Sequence, residues 1–204
     1  MTFASGPIAR NPFSLVPPPT GNLGDMSLLK NVPNQNFTFE LVNVTNSNAL
    51  TGATIVGFTS KDGSAQASTT GTFSELGNGV YNYAPTQAET NGNCVSFLIT
   101  ASSAVPENLM LLTGGLHKNS ASPQQHVTFV MMTTAGIADT GATVSVFVSK
   151  DGGAQSAGGG TVTNLGNGQY DYAPTQAETN GTNVSFLFTA TGDIPINISI
   201  FTVP

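Results

Sequence analysis

The chain repeats itself after 89 residues, and this internal repeat is the feature that most limits what it can fold into. Residues 76–92 return with few changes as residues 165–181. Segments 51–113 and 140–202 align without a gap, and more than half of the aligned positions are identical. A chain of 204 residues built in this way predicts two similar domains, each near the lower size at which a domain buries its own core.

A second correspondence indicates where each module begins. Residues 33–39 are echoed by residues 123–129, and here the offset is 90. The change of offset places a one-residue insertion or deletion between Val42 and Thr51, where a loop belongs because loops absorb length changes. The predicted organisation is an N-terminal arm at 1–32, a first module at 33–113, a linker at 114–122 and a second module at 123–204.

Short segments of alternating polarity predict β-strands in both modules. Phe37 and Phe39 alternate with polar residues, as in a half-buried strand. Tyr81 and Tyr83 share one face of a later strand, and because both tyrosines recur in the second copy, we expect them to point inward. Turn residues separate six or seven such strands in each module, and no helical segment is evident. We predict an all-β fold of two tandem immunoglobulin-like antiparallel β-sandwiches preceded by an extended N-terminal arm.

The most strongly repeated stretch also has a local structural explanation. Thr86 and Glu89 are spaced as in a capping box, in which the glutamate side chain reaches back to the threonine amide. Thr175 and Glu178 repeat this arrangement in the second copy. The repeated motif therefore predicts a hairpin, a tyrosine strand and one capped turn, which is a folding framework and not an active site.

Titratable residues are too few and too scattered to predict catalysis. His117 falls in the linker and His126 at the start of a strand, and neither has a counterpart in the other module. Asp62 and Asp151 each precede a glycine, which is typical of a turn and not of a metal site. The single cysteine, Cys94, is replaced by asparagine in the second copy, which indicates a tolerant outward position. We predict that the protein is not an enzyme and has no cofactor or metal site.

Charge and hydropathy limit the partners. Only 8% of the residues are charged, and a net charge of −6 with 5 basic residues argues against binding nucleic acid or an anionic membrane surface. No basic segment followed by an apolar run marks a signal peptide, and no run of 18 apolar residues predicts a membrane span. A protein or glycan partner is therefore favoured.

Two groups of apolar residues are candidates for contacting a partner. The first lies in the proline-rich arm, which either orders along another subunit or is a terminus without fixed structure. The second occupies outward strand positions, all but one of which differ between the copies, where an apolar side chain marks either a partner site or a contact between the two modules. The arm candidates are Phe3, Phe13, Leu15, Val16, Leu28 and Leu29, and the module candidates are Leu98, Met110, Leu112, Val130 and Met132.

One motif resembles a known class of modules. It comprises Gly168, Tyr170, Tyr172, Pro174, Thr175, Ala177, Glu178, Thr179, Val184, Ser185, Phe186, Thr189 to Gly192, Ile194 and Pro195. This pattern resembles the immunoglobulin-like repeats of structural proteins in tailed-bacteriophage virions, although the first copy departs from it at residues 102–104.

The resemblance implies a virion protein on the particle surface. A capsid decoration or cement protein anchored through its arm fits best, with other virion proteins, the major capsid protein foremost, as partners. A homo-oligomer such as a trimer is compatible with this role. The alternative is a tail, baseplate or fibre protein whose modules bind a host-surface glycan.

Overall fold

The structure is a computed structural model that describes residues 28–121 and 125–204. The arm candidates Phe3, Phe13, Leu15 and Val16 lie outside these residues. All regular structure in the described residues is β-strand, which confirms the predicted all-β class.

The first module forms a sandwich of two antiparallel sheets. Its strands are β1 (Phe37–Glu40), β2 (Ile55–Lys61), β3 (Ala67–Ser68), β4 (Thr72–Gly77), β5 (Val80–Ala84), β6 (Cys94–Ala101) and β7 (Glu107–Leu112). One sheet has the order β1-β5-β4 and the other the order β3-β2-β6-β7. This is the immunoglobulin-like arrangement, with strands B, E and D in one sheet and C′, C, F and G in the other.

The second module repeats this arrangement and adds one short strand. Its strands are β8 (Leu116–His117), β9 (Val127–Val130), β10 (Ser145–Lys150), β11 (Ser156–Ala157), β12 (Thr161–Gly166), β13 (Gln169–Ala173), β14 (Asn183–Thr189) and β15 (Ile196–Val203). The sheets have the orders β12-β13-β9 and β11-β10-β14-β15-β8. Strand β8, which lies within the predicted linker, pairs in parallel with the end of β15.

Aromatic side chains fill both cores. Tyr83 packs edge-on against Phe37 and Phe97, with ring centroids 5.5 and 5.4 Å away. In the second core, the rings of Phe129 and Phe188 stack 3.7 Å apart. All four tyrosines of the repeat are buried, which confirms that they point inward. The period-two pattern of the sequence therefore identified the core side of these strands correctly.

The chain joins the first module earlier than the sequence suggested. Leu28, which was assigned to the arm, is buried in the first core, whereas Leu29 is 60% exposed. Leu116 occupies the matching place in the second core. The backbone N–H of Asn31 donates to Thr90 O, as that of Asn119 does to Thr179 O, each over 3.2 Å. Residues 28–31 and 116–119 are thus equivalent, and their shared Leu-x-Lys-Asn sequence at an offset of 88 is the signal that could have shown it.

The predicted turn roles of the two aspartates are confirmed. Asp62 has a positive φ of 48°, and its Oδ1 accepts the backbone N–H groups of Asn93 and Cys94 at 2.8 and 2.9 Å. Asp151 holds the equivalent turn through the N–H groups of residues 182 and 183. Each carboxylate thus connects the turn after one strand, β2 or β10, to the start of the strand that pairs with it, β6 or β14.

The modules contact each other through sheet faces. The outer face of the sheet containing β2, β6 and β7 packs against the outer face of the sheet containing β9 and β13. The four sheets therefore form four successive layers. The contact between the second and third layers brings side chains from both modules together.

Candidate functional site

The most buried carboxylate of the repeated motif has a structural role. Glu89 Oε1 accepts the hydroxyl of Tyr83 and the backbone N–H of Thr70, both at 2.8 Å. Glu89 Oε2 accepts the backbone N–H of Thr86 at 2.7 Å, which confirms that the glutamate reaches back to the threonine amide, and it also accepts the Thr86 hydroxyl at 2.9 Å. The Glu89 N–H donates to the Thr86 carbonyl oxygen and not to its hydroxyl. Burial alone would raise the pKa of Glu89, but these hydrogen bonds outweigh it and lower the pKa below its usual value. Burial and the neighbouring Glu89 carboxylate raise the pKa of Tyr83. The neutral Tyr83 hydroxyl therefore donates its hydrogen bond to the ionised Glu89 carboxylate.

The second module repeats this bonding. The Tyr172 hydroxyl donates to Glu178 Oε1 over 2.6 Å, and the Thr175 backbone N–H donates to Glu178 Oε2 over the same distance. Gly160 donates its N–H to the Tyr172 oxygen, and a Cβ at this glycine would collide with the carbonyl oxygen of Ala173. The repeated glycine, tyrosine and glutamate are therefore needed to join two loops, the one before β12 and the one after β13, to strand β13. Sequence reasoning found the capping box but missed the tyrosine–glutamate bond.

An apolar cluster lies between the modules. Leu98 of the first module and Val130 and Met132 of the second are buried together, with Phe58 and Val105 packed around them. Two further candidates, Met110 and Leu112, are half-buried against the core cluster of the second module. The structure thus places these five candidates in the contact between modules, which was the alternative to an outer partner site. Leu28 is likewise a core residue, and Leu29 alone among the described candidates is well exposed.

A buried glutamine adds polar specificity to this contact. Gln169 Nε2 donates to Asn108 Oδ1 over 2.6 Å and to Ser96 Oγ over 3.2 Å. Gln169 Oε1 accepts from Gln66 Nε2 at 2.7 Å. Its counterpart in the first module is Val80, on a face that the second module does not cover. Gln169 points away from its own core and is buried by the first module, so strand periodicity could not identify it. The exchange of valine for glutamine between the copies was the available signal.

A histidine–aspartate pair lies at one end of the contact. His126 Nδ1 lies 2.8 Å from Asp171 Oδ2, and both side chains are buried. The turn at Gly63 of the first module lies against them, because a Cβ at Gly63 would be 2.5 Å from His126 Nδ1. Cys94 is nearby and buried, which corrects the expected exposed position: it points away from its own core, but the second module covers it. Burial raises the pKa of its thiol, and Asp171 and Asp62 add to the effect.

Two open cavities border the contact. One, of about 530 Å³, is lined by His126, Asp171 and hydroxyl side chains that include Thr163. A carboxylate on one ring nitrogen fixes the orientation of an imidazole, which is the arrangement used to position a histidine. Here the pair also supports the Gly63 turn, so its geometry serves the packing of the modules.

The other cavity, of about 450 Å³, runs between strands β7, β9 and β15. Its lining is largely apolar, but it includes Glu107, the first residue of β7. Burial, with a smaller effect from the nearby Glu40 carboxylate, raises the pKa of Glu107 to about 8. The raised pKa favours the protonated form of this carboxyl.

Within residues 28–121 and 125–204, no three His, Cys, Asp or Glu side chains lie together as metal ligands would. The same residues include no helix with the length and apolar character that a membrane span requires.

Comparisons with known proteins give only slight similarities. No protein-family model matches the chain, and no curated protein matches it. Among solved structures, the endo-fucoidan hydrolase MfFcnA4 of glycoside hydrolase family 107 is similar over 87% of this chain and 27% of its own, with 11% identity and a TM-score of 0.24. The related hydrolase MfFcnA9 covers 84% of this chain and 32% of its own, with 14% identity and a TM-score of 0.22. The chain thus spans about a third or less of these enzymes, and TM-scores this low indicate neither a common fold nor a common function.

Proposed function

We propose that this chain is a non-enzymatic structural protein of a bacteriophage virion, a decoration or cement protein held on the capsid by its N-terminal arm. The sequence motif of the modules suggests the virion. The major capsid protein is the proposed partner, and the particle surface is the proposed location.

The observation that carries this proposal is the way the arm joins the first module. Leu28 is buried in the core, and the adjacent Lys30 donates to Asn93 Oδ1 over 2.9 Å. Gln35 binds both the N–H and the carbonyl of Leu29, over 2.6 and 2.8 Å. A segment tied in this way transmits a load from whatever the arm holds directly to the sandwich. An anchoring arm needs this property, which a loosely attached tail would not have.

The use of the polar side chains supports the same role. Glu89, Glu178 and the His126–Asp171 pair are buried, and each holds loops or modules together. Their chemistry serves the stability of the stack, as expected for a protein whose task is mechanical.

Gradient fractionation of particles tests this proposal. Antibody against the chain should detect it in the band of purified virions, and removal of residues 1–27 should shift it to the soluble fraction. The matched control is Val56→Ser, which changes an exposed strand residue and should leave the chain on particles. Absence of the full-length chain from purified virions would overturn the proposal. Labelling of tails instead of heads, with glycosidase-sensitive binding to host cells, would favour the tail alternative.

A further inference from the structure

The groove between β7, β9 and β15 contains an acidic side chain that the fold does not require. Glu107 lines this groove, and its counterpart in the second module is Ile196. Both residues begin a strand and pair in the same register with the strand before it. Because the second module builds the same strand pair with an isoleucine, folding does not explain the carboxyl group in the first.

The Glu107 carboxyl has no counter-charge. Among residues 28–121 and 125–204, it has neither a hydrogen-bond partner nor an ion-pair partner. Another charged group that acts on it is the carboxylate of Glu40, which repels it when it is ionised. Burial of an unpaired carboxylate lowers the stability of the folded chain. A buried acid that costs stability and lacks a partner in a groove indicates a binding site for a positively charged group.

The walls of the groove are suited to an apolar chain. They include Val105 and Met110 of the first module and Val130, Ile196 and Ile198 of the second. The cavity of about 450 Å³ lies within the size range of small-molecule sites, which are mostly apolar and contain few polar groups. The groove therefore matches a small ligand with an aliphatic body and one polar end.

Two polar groups of the groove are open to a ligand that donates hydrogen bonds. The amide of Asn108 is already used, since its Nδ2 donates to Thr128 O over 3.2 Å and its Oδ1 accepts from Gln169. The Thr128 hydroxyl, in contrast, is buried and has no hydrogen-bond partner among the described residues. An ammonium group has three N–H donors and no acceptor, so it is suited to the Glu107 carboxylate and to an acceptor such as this hydroxyl oxygen.

We propose that this groove binds an aliphatic primary amine in its ammonium form, with the charged group at Glu107 and the chain along Met110 and Ile198. The ammonium group offsets the charge of Glu107 and its repulsion from Glu40. An anionic ligand would add a third negative charge, and a neutral ligand would leave Glu107 without a counter-ion. A free amine is the proposed ligand, because the cavity has the size of a small molecule, whereas a lysine side chain would bring a peptide backbone with it.

Binding of the amine should strengthen as the pH rises to about 8. Burial and Glu40 raise the pKa of Glu107 to about 8 in the empty groove, whereas an alkylammonium stays charged up to about pH 10. Each pH unit from about 6 to about 8 ionises roughly ten times more Glu107, so the dissociation constant should fall by up to about tenfold per unit. At about pH 9 we expect a dissociation constant on the order of 1 mM for a six-carbon amine.

Titration of the full chain with hexylamine, followed through the backbone amide resonances in NMR spectra, tests this proposal. The resonances of Asn108 and Val130 should shift, and at about pH 9 hexylamine should bind at least tenfold more tightly than hexan-1-ol, which has the same chain without the charge. Glu107→Gln should abolish this preference and leave the binding of hexan-1-ol unchanged. The matched control is Glu75→Gln, which removes a carboxylate outside the groove and should bind hexylamine as the natural chain does.

Several results would overturn the proposal. Absence of hexylamine binding, or binding of hexan-1-ol that is equally tight, would show that the groove does not recognise the charge. Hexylamine binding that Glu107→Gln leaves unchanged, or that does not strengthen between about pH 6 and about pH 8, would place the ammonium group elsewhere. Tighter binding of Nα-acetyl-lysine methylamide than of hexylamine would assign the groove to a lysine side chain of another protein. None of these results bears on whether the chain is found on virions, so this inference and the proposed function fail separately.

Discussion

Replacing Glu107 with glutamine should remove a pH-dependent loss of stability. Glu107 begins β7 and lines the groove between the modules, where burial first and Glu40 second raise its pKa from 4.5 to about 8. In the unfolded chain the same carboxyl ionises near its ordinary pKa. Between pH 4.5 and about 8, the folded state therefore keeps a proton on Glu107 that the unfolded state has already released.

The sign and size of the effect follow from this difference. A raised pKa in the folded state means that the contribution of Glu107 to stability is fully present below its ordinary pKa and is lost as the pH rises to about 8. At ~1.4 kcal/mol for each pKa unit, the full difference would be ~5 kcal/mol. The groove is open to water, which stabilises the ionised form, so we expect a loss of about 2 kcal/mol.

Urea unfolding at a series of pH values from about 4 to about 9 measures this loss. Natural chain and Glu107→Gln should be equally stable at the acidic end, and the variant should be more stable by about 2 kcal/mol at the basic end. Glu40→Gln, which removes only the smaller cause, should recover a minor part of the difference. If the two stability curves ran parallel across the whole range, the proposed buried and protonated state of Glu107 would be refuted.

Three further substitutions test the contact between the modules and the tyrosine–glutamate bond. Gly63→Ala should lower the free energy of unfolding by ~2 kcal/mol more than Gly152→Ala does, as measured by thermal unfolding. Both glycines have a positive φ, but only a Cβ at Gly63 meets the second module, so equal losses of stability would contradict the contact. Gln169→Val should lower the free energy of unfolding by ~1–3 kcal/mol, because it breaks hydrogen bonds to three side chains of the first module. An unchanged midpoint of thermal unfolding would refute this. Glu178→Gln should cost about 2 kcal/mol at neutral pH, because hydrogen bonds from Tyr172 and the backbone outweigh burial and lower the pKa of this carboxyl. That contribution is present above the ordinary glutamate pKa and lost in acid, so the variant and the natural chain should converge there, and a constant difference would exclude the linkage.

The sequence predicted the sandwiches because their determinants are local and repeated. Tyr81 and Tyr83 alternate with polar residues, and a period of two specifies which face is buried without knowledge of the partner sheet. The capping box needs only the spacing of Thr86 and Glu89. The hydrogen bond from Tyr83 to Glu89 was not predicted, because it depends on how the turn folds back over the strand, which spacing alone does not determine.

The sequence did not determine whether the two modules contact each other, for a different reason. Gln169 and Asp171 point away from the core of their own sandwich, so their polarity is consistent with an exposed face. They are buried because another module covers that face. Periodicity within one strand describes a strand and its own core, and it contains no information about a second layer of packing.

Divergence between the copies carries the information that periodicity lacks. Both modules keep Phe58 and Phe147, and Leu98 and Leu187, at equivalent outward positions, although only the first pair of sites faces a module of the same chain. The opposing face has changed polarity between the copies, from Glu40 to Val130. The contact between the modules therefore depends on Val130, which packs with Leu98 at the position where the first copy has Glu40, and the divergence at this position marks the covered face of the second module.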